Sequence, residues 1–241
     1  MKTALVTGST SGIGLDIGMT LLENDYNVTF NGRTWNKLEA IKKRYPYYEK
    51  KIELWCADLS NIYEVYSKCE LVEVEKEIES LDVLVLNAGY TDRTEFGEIK
   101  LHEWEKVFDT NLTVPFFLVQ ALKDKINKNG RIIFISSVLA DYPHSRSISY
   151  GVSKAGVNAL VQNLVKFFAH KNITVNAISP GFVSTDWHKN KSKNQIDKIK
   201  NKIALKRFGE TFEISSLVQE IIRNQYINGS IIDINGGYSY E

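Results

Sequence analysis

Tyr150 and Lys154 stand four residues apart in ISSVLADYPHSRSISYGVSK, a stretch that also carries Ser137. On a helix, that spacing projects both side chains from one face. The chemistry open to such a pair is proton transfer. A phenol with a reference pKa of about 10 is a poor acid or base near neutrality, and a nearby ammonium favours the phenolate and makes it usable. Ser137 follows the apolar run RIIFIS, ahead of the helix, where its hydroxyl can bind the same oxygen that Tyr150 protonates. Together the three would polarise a carbonyl that is gaining hydride. A Tyr and a Lys at helical spacing also arise by chance in many helices, so the surrounding elements must decide.

Those elements alternate. Residues 3–7, TALVT, form a short β-prone run that meets Gly8, Gly12 and Gly14 and passes into the helical pattern IGLDIGMTLLEND. Glycines admit a ligand close to the backbone, and free amides at a helix start favour a phosphate. The strand NVTFN then ends at Gly32 and Arg33, about twenty residues beyond the glycine turn, where an acid would bind the ribose of NAD. Arg33 instead offers a fork of donors suited to a 2′-phosphate, so NADP(H) is expected over NAD(H). KIELWCADL ends at Asp58 and Leu59, and an amphipathic charged stretch runs from Asn61 to Ser80. LDVLVLNAG is a near-continuous apolar strand that breaks at Asn87, Ala88 and Gly89, as expected when both sheet faces are covered.

A helical stretch from about Leu101 to Ile126 contains Asn111, an amide that must find partners if buried. RIIFIS makes the fifth strand and NITVNAIS the sixth, followed by PGFVST, in which Pro180 and Gly181 turn the chain and Val183 and Thr185 face the same crevice. SIIDINGG is the seventh strand. This rhythm predicts an α/β fold: one Rossmann-like, doubly wound domain of about seven parallel strands, with a ligand crevice at the strands' carboxyl ends. Asp186 to Glu210 departs from the rhythm, being rich in lysine and poor in apolar anchors, and is expected to form a lid able to attract an anionic substrate.

At 241 residues, 43% hydrophobic and a formal charge of +1, the chain can bury a large core and lacks the charge expected of a nucleic-acid partner. No stretch approaches the roughly 18 apolar residues that span a bilayer, and MKTALVTGSTSGIG lacks a signal-peptide core, so a cytoplasmic location is expected. Cys56 and Cys69 stand apart without metal-ligand spacing and are expected to be small, at least half-buried residues.

Taken jointly, these motifs resemble the short-chain dehydrogenase/reductase family, and the resemblance runs from Thr3 to Gly237. TGSTSGIG looks like its cofactor turn, adding Thr10, Ser11 and Ile13 to the glycines. NAG resembles its adenine-side motif and YGVSK its Tyr-x-x-x-Lys signature. Ser137 lies 13 residues before Tyr150, as the family's serine does. The resemblance implies hydride transfer between a nicotinamide and a ketone or secondary alcohol. In that scheme Tyr150 is the general acid or base, Lys154 lowers the Tyr150 pKa and binds the nicotinamide ribose, Ser137 orients the substrate oxygen, and Asn111 holds a relay water. Asp58 and Leu59 would contact the adenine, and Val183 and Thr185 the nicotinamide carboxamide.

Two departures touch the cofactor site: Leu86 replaces the first Asn of the commoner NNAG, and Ser11 stands where many NADPH users carry a basic residue. NAGYTD, LKRFGE and INGGYSY are most similar to the 3-oxoacyl-acyl-carrier-protein reductases. That likeness implies an acyl carrier protein as partner, docked near the active-site mouth through Lys128 and Lys171, and a homotetramer. Two other readings remain open: a sugar or nucleotide-sugar substrate, suggested by the lysine-rich lid with His144 and His188, and a non-catalytic dinucleotide-binding regulator.

Overall fold

A computed structural model of the chain describes residues 1–67, 74, 76, 78–142 and 147–238; Cys69 and His144 lie outside the described residues. Seven strands, β1 (Lys2–Val6), β2 (Tyr26–Gly32), β3 (Ile52–Cys56), β4 (Leu81–Leu86), β5 (Ile126–Ile135), β6 (Thr174–Pro180) and β7 (Ile231–Ile234), form one sheet in the order β3-β2-β1-β4-β5-β6-β7. Every neighbouring pair is parallel. The order reverses between β1 and β4, which opens a crevice at their carboxyl ends.

Both faces of the sheet are covered, and the strand sequences show why. Leu84 and Leu86 of β4, with Ile132 and Phe134 of β5, join a core under α5 (Val114–Leu122) and α6 (Ile148–Phe168). Their neighbours Val83, Val85, Ile133 and Ile135 point the other way, into a core with α1 (Gly12–Glu23) and α8 (Thr211–Arg223). Period-two alternation with apolar residues on both sides gives the unbroken apolar runs of the sequence. Between these elements lie α2 (Trp35–Arg44), α3 (Ile62–Ser67), α4 (Leu101–Phe108) and α7 (Lys193–Asn201). Among the described residues no helix is long and apolar enough to cross a membrane.

The helical stretch expected from about Leu101 to Ile126 runs continuously to Leu122, with a π-helical widening inside it. α4 ends at Phe108, Asp109–Thr113 form a π-helical turn, α5 ends at Leu122, and Ile126 already belongs to β5. Pro115 is the physical cause: it has no N–H to donate to the carbonyl of Asn111 four residues back, so the ladder widens at that point. The segment 186–210 also differs from its expected lack of anchors. Asp186–Lys202 is largely exposed, whereas Ile203 and Phe208 are buried and Gly209 bridges to Val183.

Arg131, at 4% exposure, holds the sheet to α8 with no ion-pair partner among the described residues. Its guanidinium donates to the carbonyls of Ile222 at 3.2 Å, Asn129 at 2.6 Å and Gly130 at 2.9 Å. Arg131→Met removes these bonds and leaves the buried Gly130 carbonyl without its donor, so it should lower stability by about 1–3 kcal/mol despite adding an apolar side chain. Urea unfolding checks this: a lower midpoint at unchanged slope is expected, and an unchanged midpoint contradicts it.

Candidate active site

At the strands' carboxyl edge lies a cavity of about 740 Å³. Every residue expected from the sequence to bind cofactor or do chemistry lines it, except Asn111. One end is the glycine turn between β1 and α1. Gly8 has φ +60°, and a Cβ there would lie 2.8 Å from the Ala88 Cα, so only glycine allows the two strand ends to approach this closely. Asn87 closes the gap from the other side, its Nδ2 donating to the carbonyls of Thr7 at 3.0 Å and Gly8 at 3.1 Å. The Thr7 hydroxyl accepts from the backbone amides of Asn87 and Ala88, at 2.9 and 3.0 Å. Leu86, the departure noted in the sequence, is simply a core residue, and the turn is braced without it.

Asn31 braces the same turn from β2. Its Oδ1 accepts from the Gly8 amide at 3.0 Å, and its Nδ2 donates to the carbonyls of Trp55 and Ala57 at 3.2 and 3.3 Å. The sequence reading missed this residue, although a polar side chain inside the apolar run NVTFN was a visible signal. Arg33 is exposed at the adjacent rim, and Lys37, four residues on, lines the cavity with it. Lys37 was also missed, and the i,i+4 spacing from Arg33 was the available clue. Gly32 serves packing first, since a Cβ there would meet the Thr10 methyl at 2.4 Å.

Ser137, Tyr150 and Lys154 meet at the other end. Ser137 caps the turn after β5, its Oγ accepting from the Leu139 amide at 3.2 Å, and it hydrogen-bonds the Tyr150 phenol. Lys154 is buried and donates through Nζ to the Ile135 carbonyl at 2.6 Å, with Nζ 5.7 Å from the Tyr150 ring centre. Burial pushes the Tyr150 phenol up to about 12, and the Ser137 hydrogen bond offsets this only in part. Burial likewise brings the Lys154 ammonium down to about 8. In the protein alone, desolvation dominates at both groups, the phenol going up and the ammonium down.

Asn111 lies beside the cavity with its side chain already engaged. Its Oδ1 accepts from the Tyr90 amide at 2.8 Å, while Nδ2 donates to the Tyr90 carbonyl and to the Ser153 hydroxyl, both at 2.9 Å. The side chain thus ties the loop after β4 to α6, next to Tyr150 and Lys154. Lys128 and Lys171 do not line the cavity. They sit near the amino ends of β5 and β6, at the opposite edge of the sheet, and Lys171 donates to the Lys123 carbonyl at 3.3 Å. The expected docking place beside the mouth of the chain's own cavity is thereby overturned.

A glycine-cradled crevice that ends on a buried Ser and Lys with a half-buried Tyr between them defines a dinucleotide-dependent oxidoreductase. The sequence pattern of the short chain dehydrogenases matches residues 2–196, and the chain belongs to the short-chain dehydrogenase/reductase family. It is an NAD(P)-dependent oxidoreductase. Its relatives include the 3-oxoacyl-[acyl-carrier-protein] reductase FabG of Staphylococcus epidermidis, 34% identical with 98% of each chain covered. The enzyme of that name from Aquifex aeolicus is 32% identical, over 98% of this chain and 96% of that one. Among solved structures, a short-chain dehydrogenase/reductase from Serratia marcescens superposes with a TM-score of 0.90 at 26% identity, covering 99% and 98%. The Pseudomonas aeruginosa RhlG/NADP active-site complex does so with 0.89 at 27% identity, covering 98% and 96%.

The buried lysine has a consequence for stability. The unfolded chain keeps the Lys154 proton up to the ordinary value near 10.5 and the folded chain only to about 8, so its burial weakens the fold fully below pH 8 and progressively less above it. Lys154→Met should therefore be more stable than the parent at pH 7, by on the order of 1–2 kcal/mol after loss of the Ile135 hydrogen bond. Denaturation at pH 7 and 9.5 reads the difference, which should shrink at the higher pH. A difference that widens contradicts the assignment.

Proposed function

We propose that the chain is an NADPH-dependent ketone reductase acting on 3-oxoacyl thioesters presented by an acyl carrier protein. The observation that carries this reading is the convergence of Ser137, Tyr150 and Lys154 at one end of the cavity whose other end is the glycine cradle. The printed name of the similar enzymes from Staphylococcus epidermidis and Aquifex aeolicus supports the thioester.

The residues fit the cofactor. A Cβ-free approach at Gly8, the amides at the start of α1, and the Arg33 and Lys37 cations suit a diphosphate and a 2′-phosphate, while Ser11 adds no charge. Asp58, Leu59, Asn87, Ala88 and Gly89 line the adenine side; Pro180, Gly181, Val183 and Thr185 hold the carboxamide end. When bound, NADPH supplies the hydride. Tyr150, kept neutral by burial, donates its phenolic proton to the carbonyl oxygen as the alkoxide forms, which favours the reductive direction. Ser137 hydrogen-bonds the same oxygen and holds the phenol in line. Lys154 orients the ribose hydroxyls and replaces the lost proton. For that relay, the acceptor beside Asn111 is its backbone carbonyl, which Pro115 cannot pair.

Exposed Leu101, Val152 and Phe167 on α4 and α6 support pairing of these helices in a homotetramer. Sedimentation velocity tests this, and a monomer would remove it. A sugar-type substrate is favoured only by the cations beside Trp187, considered below.

Tyr150→Phe should lower kcat with acetoacetyl thioesters by about 10²–10⁴-fold while leaving NADPH binding within about twofold, since only the proton donor is lost. Retained turnover would remove Tyr150 as the donor. Arg33→Ala should raise KM for NADPH about tenfold or more and leave NADH nearly unchanged. Equal effects on both cofactors would remove the role given to Arg33.

A further inference from the structure

Beyond the triad, a second group of nitrogens faces the same cavity from two loops. Trp187 lies next to Tyr150, with ring centres 6.1 Å apart, and its carbonyl accepts from Arg93 Nη2 at 3.5 Å. His188 is packed between Phe182 and Phe208, at 5.6 and 5.3 Å between ring centres, and its Nδ1 is buried with no hydrogen-bond partner. Lys191 closes the turn, its amide donating to the His188 carbonyl at 3.0 Å. Arg93, His188 and Lys191 all line the cavity.

Neither Arg93 nor Lys191 forms an ion pair among the described residues, and Asp186, which lines the same cavity, pairs with neither. The two cations are close enough to act on one another and on His188: burial first, then the charges of Lys191 and Arg93, push the imidazole down to about 4, and burial followed by the Arg93 charge lowers Lys191. Holding like charges together without a counter-charge costs free energy that a bound anion would return. His188 lines the cavity beside the two cations and holds the turn that carries Lys191.

We propose that Arg93, Lys191 and His188 form a substrate-side subsite for an oxyanion, phosphate or carboxylate, borne by the molecule whose carbonyl meets Tyr150. The inference rests on the reductase reading only in assigning that end of the cavity to substrate. Two sources offer the same chemistry: the phosphate of a carrier protein's phosphopantetheine arm, and a phosphate on a small ketone.

Calorimetric titration of the protein saturated with NADP⁺ separates them, using phosphopantetheine against pantetheine and glycerol 3-phosphate against glycerol. At least one phosphorylated probe should bind about tenfold tighter than its counterpart, the scale of one charge-assisted contact, and the ratio should fall toward one in Arg93→Gln/Lys191→Gln. Discrimination confined to the first pair assigns the subsite to the carrier arm; discrimination in the second assigns it to a small phosphorylated substrate. Lys191→Gln alone, on an open turn, should shift the ratio in the same direction and serves if the double variant folds poorly. Equal binding within both pairs in the parent, or a ratio that survives the substitutions, overturns the subsite. A protein that reduces no thioester yet still discriminates keeps the subsite and removes only the thioester reading.

Discussion

The site depends on one buried contact, the 2.6 Å hydrogen bond from Lys154 Nζ to the carbonyl of Ile135. It fastens α6, which carries Tyr150, to the end of β5, which leads directly into Ser137. A cation in this position is costly, and the cost appears as its lowered pKa. Stability is given up at the point where charge can act on a reacting carbonyl, a pattern common to functional sites.

The other end of the cavity is made by side chains rather than by glycines alone. Asn31, Thr7 and Asn87 reach from three neighbouring strands to the same turn, so the cradle's shape is set by the sheet order itself. Parallel strands bring all their carboxyl ends to one edge, and residues 23 to 80 positions apart in sequence become neighbours there. Within this frame the high Tyr150 pKa and the low Lys154 pKa act together. The phenol stays protonated at neutral pH, and the amine, brought down to about 8, is poised to exchange a proton close to neutrality.

Much of this was legible in the sequence because strand ends, glycines and the Tyr150–Lys154 spacing are local signals. The seven strands and the parallel fold followed from apolar runs alternating with helical periods. What was not legible depended on the third dimension or on one overlooked residue. Pro115 widened the expected helix at Asn111, and only the folded chain shows that amide tied to Tyr90 and Ser153. Only the fold places Lys37 and Arg93 on the cavity, where Arg93 meets Lys191 of the segment whose lysines were expected to attract an anion. Lys128 and Lys171 failed for the converse reason, since linear proximity to strands said nothing about which edge of the sheet they occupy. The 186–210 segment was read from its lysines, and its anchors, Ile203 and Phe208, fall at its end, where charge density masked them.

The central claim is that this edge delivers hydride to a carbonyl while Tyr150 delivers the proton. Isotope transfer tests it without reference to any variant. With NADPH deuterated on the transferred position and acetoacetyl thioester as acceptor, mass spectrometry should find one deuterium on the former carbonyl carbon of the hydroxyacyl product. Oxidation of NADPH without deuterium at that carbon, or no product at saturating acceptor, would contradict the account.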